Sequence, residues 1–259
     1  MNRFSANIST LFTELPVIER FEAAAKNGFS AFEIQFPYDI PIENILSAKQ
    51  RSKLETSIFN FPAGDFSKGG PGIASIPGLE SYFHAGVAEA KLYADALQPY
   101  GINILAGCPP EYINKSHCLH TLKNNIEYAS KKFINSNIKI LIEPINVIDR
   151  PNYLISNFDM IIELINDLNL KNVSALCDIY HIKMMGEDPL EIIKKYLKQI
   201  GHIQFADFPG RNEPGTGEID FDSIFSSNIL KTYNGWLGAE YLPKFSTSNS
   251  LYWLEKYLN

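Results

Sequence analysis

Three observations predict an α/β fold of one domain, a (β/α)8 TIM barrel with eight parallel strands inside and helices outside. A strand-like segment followed by a helix-like one recurs eight times, the chain has 259 residues, and no low-complexity linker or long charge run divides it. Strands that alternate with helices pair in parallel, because each crossover helix returns the chain to the same end of the sheet. Eight such units in a chain of this length close on themselves. The rival is an open doubly wound sheet, which usually carries a glycine-rich phosphate turn after its first strand. Here Thr10, Leu11, Phe12, Thr13 and Glu14 follow that strand without a glycine, so no nucleotide cofactor is indicated.

Residues 3–9 read as the first strand. Residues 16–27 read as a helix, with Val17, Phe21, Ala24 and Ala25 at helical spacing and Gly28 as the stop. The second strand is 31–36, closed by Pro37; a short helix covers 41–49 and the third strand 55–60. A Pro/Gly-rich loop at 62–78 leads into an alanine-rich helix at 79–97. Strand four is 102–106 and its helix 119–134. Strand five, 139–143, is almost wholly apolar until it ends in Glu143, and a helix follows at 159–168. Strand six is 173–178 with a helix at 189–198, and strand seven is 202–206 with a helix at 222–231. Strand eight at 236–240 and a closing helix at 251–258 complete the chain.

Composition narrows the function. A hydrophobic fraction of 45% against 20% charged residues supports a large core and argues against disorder. The net charge of −6 repels phosphate backbones, so no nucleic-acid partner is expected, and an acidic substrate needs local positive charge. The segment from Met1 to Asn7 lacks the apolar stretch of a signal peptide, and no run approaches a membrane span. A cytoplasmic protein without a membrane partner is the expectation. Cys108, Cys118 and Cys177 are odd in number and widely spaced, which suits reduced thiols; no Cys-x-x-Cys pair suggests a zinc–thiolate cluster.

In such a barrel, chemistry belongs at the C-terminal ends of the strands. Four consecutive strands deliver Glu143, Asp178, Gln204 and Glu240 to that rim. Three converging carboxylates repel one another unless a cation joins them, and oxygen ligands suit Mg²⁺ or Mn²⁺. His181, three residues after Asp178, is placed to hydrogen-bond or relay a proton to a substrate oxygen. Its alternative is an ordinary loop histidine, and His117 and His120 read as solvated. Arg211, in the Gly/Pro-rich stretch after strand seven, can neutralise an anionic substrate or brace its loop against Glu213 or Glu218. Asn7, Glu33 and Asn60 end the first three strands and would line the far wall. The 62–78 loop is placed to act as a lid or simply to lie on the surface.

The chain resembles the hydroxypyruvate isomerases, a branch of the xylose-isomerase-like barrels. The likeness runs nearly end to end. It includes Arg3 through Asn7, the Phe12-Thr13-Glu14 turn, Phe59-Asn60 and Ile76-Pro77-Gly78. Its most specific stretch is His202-Ile203-Gln204, Ala206-Asp207, Pro209-Gly210-Arg211 and Glu213 through Ile219, completed by Trp236 to Tyr241 and Pro243. The resemblance implies a metal held by Glu143, Asp178, Gln204 and Glu240, with Glu143 and Glu240 as the acid–base pair. The implied substrate is a small hydroxy-keto acid: hydroxypyruvate would become tartronate semialdehyde through an enediolate. Relatives usually carry Arg where this chain has Leu79 and His84, and Lys where it has Leu242, which keeps a longer 2-oxo sugar acid of the 2-oxo-tetronate type open.

Three rivals remain. A keto-sugar 3-epimerase usually has histidine where Gln204 stands. A DNA-repair nuclease needs a histidine-rich trimetal cluster and a basic face. A non-catalytic sugar-binding barrel has no use for an acid–base pair. Many such barrels form homo-oligomers, but the sequence identifies no interface.

Overall fold

The computed structural model describes residues 3–258; Met1, Asn2 and Asn259, which entered the reading of the N-terminus and of the domain bounds, lie outside the described residues. Short apolar runs between turn formers become the strands β1 (Phe4–Asn7), β2 (Ala31–Ile34), β3 (Glu55–Asn60) and β4 (Gly101–Ile104). They continue as β5 (Lys139–Ile142), β6 (Val173–Asp178), β7 (Ile200–Phe205) and β8 (Leu237–Ala239). Each pairs in parallel with the next, and β8 pairs with β1, which closes the barrel. The (β/α)8 expectation holds.

The helices are α1 (Val17–Lys26), α2 (Ile42–Ser52), α3 (Glu80–Leu97), α4 (Lys115–Phe133), α5 (Phe158–Leu168), α6 (Ile179–Met184), α7 (Pro189–Tyr196), α8 (Phe221–Phe225) and α9 (Tyr252–Tyr257). Capping explains several of their starts. The side chains of Asn114, Asn157, Asp178, Asp188 and Asp220 accept backbone N–H groups of α4 to α8. Three points differ from the sequence expectation. Asn114 starts α4 earlier, so His117 and His120 lie on a helix, although both are exposed. The helix expected at 222–231 ends at Phe225, and a separate 3-10 turn covers Leu230–Thr232. The six-residue α6 was not anticipated, because it is too short for a helical period to show.

Two layers hold the barrel. Outside the strands, Phe205 meets Phe4, Phe225 and Trp253 edge-on, with ring centroids 5.1–6.1 Å apart. They tie β1 and β7 to α8 and α9 beside the seam where the sheet closes. Inside the barrel, Ile58, Leu141 and Leu176 form a separate apolar cluster. Gly101 and Gly201 make room for Leu141: a Cβ on either would stand 2.7 Å from its methyl carbons. This plug fills the floor beneath the polar residues at the strand ends.

Candidate active site

Alternation along a strand puts residues two apart on one face. Asn60, Glu143 and Asp178 are two residues beyond the floor residues Ile58, Leu141 and Leu176, so they stand one layer above it. Gln204, Glu240, Asn7 and Glu33 join them around the same mouth. A cavity of about 270 Å³ opens there, lined by Asn7, Glu33, Asn60, Glu143, His181, Gln204, Arg211 and Glu240 among others. The sequence-derived residues thus share one space, with Asp178 beneath it touching both His181 and Arg211. Phe66 and Ser67 bring the 62–78 loop to the cavity wall.

Glu33 is the hub of this layer. It is buried, and its oxygens accept from Ser5 Oγ at 2.7 Å, His202 Nε2 at 2.7 Å, Gln204 Nε2 at 2.8 Å and Asn7 Nδ2 at 3.4 Å. The contact orients Gln204: its nitrogen is taken, which leaves its carbonyl oxygen as the atom able to serve as a ligand. Only glycine fits at 238, because a Cβ there would lie 2.0 Å from Glu33 Oε1.

Glu240 is held on both oxygens. Asn7 Nδ2 and Gln35 Nε2 donate to Oε1 at 2.8 and 2.9 Å, and Arg211 donates to Oε2 at 2.9 Å. Arg211 also reaches Asp178 at 3.5 Å. Its partners are therefore two rim carboxylates and not Glu213 or Glu218; buried Glu213 accepts from the Lys244 backbone instead. Across the cavity, Asn103 Nδ2 donates to Glu143 at 3.1 Å and to Asn60 at 3.0 Å. Burial pushes the Glu143 carboxyl well above the usual carboxylate range, and the charges of Glu240 and Asp178 add to the rise. Burial also pushes Glu240 up to about 7, against the pull of Arg211. His181 is held down at about 4 by burial, so its ring is neutral at pH 7.

The segment carrying Arg211 is set by Asp207. This buried carboxylate accepts from the backbone N–H groups of Phe208, Gly215, Gly217 and Ile219 at 2.8–3.1 Å. Sequence reasoning missed five residues here: Gln35, Asn103, Asn146, Arg150 and His202. Gln35 and His202 lie two positions from Glu33 and Gln204, so alternation was the available signal. Arg150, on the loop after β5, lines the cavity and stacks its guanidinium over Phe66, 4.1 Å from the ring centre. No carboxylate pairs with it among the described residues. Leu79, His84 and Leu242, the places of the absent cations, do not line the cavity; His84 stacks on Tyr128 and Leu242 is exposed.

The donor set suits a divalent cation. Around the cavity the carboxyl groups of Glu33, Glu143, Asp149, Asp178 and Glu240 outnumber the guanidinium groups of Arg150 and Arg211, so acidic groups predominate. Ligand atoms of Glu143, Asp178 and His181 lie within 4.8 Å of one another, close enough to share an ion. The free cysteines Cys108, Cys118 and Cys177 take no part. No helix among the described residues is long and apolar enough to cross a membrane.

Known proteins match this chain along its whole length. It is 41% identical over 257 residues to the hydroxypyruvate isomerase of Escherichia coli K12, covering 99% of this chain and 100% of that one. It is 33% identical to the 2-oxo-tetronate isomerase of Cupriavidus necator, covering 100% of this chain and 99% of the other. A structure titled AP endonuclease, family 2, from Brucella melitensis superposes with a TM-score of 0.95 at 36% identity over 99% of both chains. A 3-keto-D-glucoside 4-epimerase from Escherichia coli shares the fold alone, with a TM-score of 0.81 at 18% identity over 99% of both chains. The family described as xylose isomerase-like TIM barrel matches residues 21–257, and this chain belongs to it.

Proposed function

We propose that this protein is an isomerase of a small hydroxy-keto acid, converting hydroxypyruvate into tartronate semialdehyde. The observation that carries the reading is the pair of buried glutamates, Glu143 after β5 and Glu240 after β8, which face one cavity and are each held by amide donors. A carboxyl group so held can take a proton from a bound substrate and return it. The names of the relatives from Escherichia coli and Cupriavidus necator point to the same reaction class.

One glutamate removes a proton from the hydroxymethyl carbon, and the electron pair moves into the bond to the former carbonyl carbon. The resulting enediolate is protonated at that neighbouring carbon by the other glutamate. The hydroxyl proton leaves its oxygen, which becomes the aldehyde, while the old carbonyl oxygen gains one. His181 and Arg211 face the substrate oxygens, and Asn7 and Asn60 close the wall around the carbon chain. Glu143, Asp178, Gln204 and Glu240 would hold Mg²⁺ or Mn²⁺, which supplies polarisation of the carbonyl and acidity at the adjacent C–H bond. The carboxylate of the substrate faces Arg150, the cavity cation without a carboxylate partner among the described residues. DNA is a poor fit, since the net charge is −6 and the cavity offers two arginines, Arg150 and Arg211.

The test is turnover of hydroxypyruvate by metal-stripped protein, with and without added Mg²⁺ or Mn²⁺, followed by NMR. Tartronate semialdehyde is expected only with metal. Product from a four-carbon 2-oxo acid, and none from hydroxypyruvate, would replace this reading with the 2-oxo-tetronate one. Glu143→Gln and Glu240→Gln should each lower kcat by at least about 10³-fold with the fold intact; full activity in both would remove the acid–base scheme.

A further inference from the structure

The polar contacts around His181 determine its proton position. Asn146 Oδ1 accepts from the backbone N–H groups of Ile148 at 3.1 Å and Asp149 at 2.8 Å. Those two bonds fix which end of the amide is oxygen. Its nitrogen faces the other way, donating one hydrogen to Asp149 Oδ2 at 3.0 Å and the other to His181 Nδ1 at 2.6 Å. An amide nitrogen donates and does not accept, so Nδ1 is the acceptor. A neutral imidazole then carries its single proton on Nε2. That nitrogen lies 3.5 Å from Asp178 Oδ2 and 3.6 Å from Glu143 Oε1.

We infer that Asn146 is a positioning residue that sets the tautomer of His181, so that His181 enters the site as an N–H donor and stays out of the metal's ligand set. Proximity alone groups His181 with Glu143 and Asp178 as a candidate ligand. A metal needs the lone pair of Nε2, and that nitrogen can free it only by moving its proton to Nδ1, against the N–H of Asn146. The remaining ligands are oxygen atoms, which favour Mg²⁺ and Mn²⁺; an imidazole would favour Zn²⁺. Asn146 thereby separates two duties inside one cluster: carboxylates for the ion, and His181 Nε2–H for a substrate oxygen. The second duty rests on the proposed isomerase activity; the tautomer and the ligand set do not.

Nitrogen–proton correlation spectra of the full chain, with and without Mg²⁺, read the tautomer directly, with the His181 signal assigned by its loss in His181→Gln. A bare Nδ1 and a protonated Nε2 are expected in both states. A protonated Nδ1 overturns the inference. The exchange Asn146→Asp together with Asp149→Asn keeps an amide–carboxylate contact but turns the group facing His181 into an acceptor. It should move the proton to Nδ1, raise Zn²⁺ affinity relative to Mg²⁺ at least tenfold, and add a nitrogen ligand to the spectrum of the Co²⁺-loaded protein. An unchanged Zn²⁺-to-Mg²⁺ ratio with an unchanged Co²⁺ spectrum would refute it. Both readouts stand whether or not hydroxypyruvate is turned over.

Discussion

Glu33 touches neither side of the glutamate pair, yet four donors converge on it and one of them is Gln204, a member of the proposed ligand quartet. Replacing it with Gln leaves the volume and turns one acceptor into a donor. Some donor in the ring then meets another donor, and the simplest relief is for Gln204 to turn its carbonyl toward residue 33. Outer hydrogen bonds of this kind typically change metal affinity 10–100-fold. Glu33→Gln should therefore weaken Mg²⁺ binding about 10–100-fold by calorimetric titration; unchanged affinity would mean that Gln204 is not a ligand. The proposed quartet could be picked out of the sequence because Glu143, Asp178 and Glu240 close apolar runs and Gln204 interrupts one. The orientation of the Gln204 amide was not legible, because Glu33 fixes it from 171 positions away in sequence. The partners of Arg211 were hidden for the same reason: Glu240 is 29 residues distant, whereas the local acids Glu213 and Glu218 looked nearer.

Alternation and helical spacing carry no distance information, so whole elements were readable where their packing was not. The strands appear within a few residues of their expected bounds, since their apolar runs are buried on both sides. α6 escaped because its stability comes from the Asp178 cap and the cavity wall, not from an amphipathic stripe. The segment at 207–219 is the clearest element-scale device. It lacks regular structure, and one carboxylate, Asp207, substitutes for it by taking four backbone N–H groups. Asp207→Ala removes the two oxygens that accept all four bonds and releases Arg211 from its ion pairs. A roughly tenfold or larger rise in KM for hydroxypyruvate is expected, with faster amide exchange confined to this segment. Retained protection there would show that the Arg211 ion pairs alone hold the loop. The same logic applies across the cavity, where Arg150 leans on Phe66 of the 62–78 loop. Arg150→Met should raise KM for hydroxypyruvate about tenfold and leave a neutral hydroxy-ketone unaffected. An equal effect on both would move the substrate carboxylate elsewhere.

At the scale of the whole molecule, closing the barrel brings carboxylates from separate strands into one buried mouth, and this charge must show in how stability depends on pH. Burial raises Glu240 to about 7 and Glu143 well above its ordinary range in the metal-free protein. A raised carboxyl binds its proton in the folded chain before the unfolded chain does, so acidification through the folded value stabilises the fold. From pH 8 to 6.5, Glu240 alone contributes about 1 kcal/mol of added stability, which is roughly 2–4 °C in Tm for a chain of this size. His181 works in the opposite sense. Its folded value of about 4 lies below the unfolded 6.5, so it removes stability as pH falls between those two values. The gain should therefore slow below about pH 6.5, where His181 offsets one of the two raised carboxyls. Bound Mg²⁺ reverses the slope above that point, because it needs the ionised carboxylates and is released as they take up protons. Thermal melts from pH 8 to 6.5 should rise for the stripped protein and fall for the Mg²⁺-saturated one. Parallel curves would mean that the ion binds without Glu143 and Glu240, and the quartet would then have to be redrawn around Asp178.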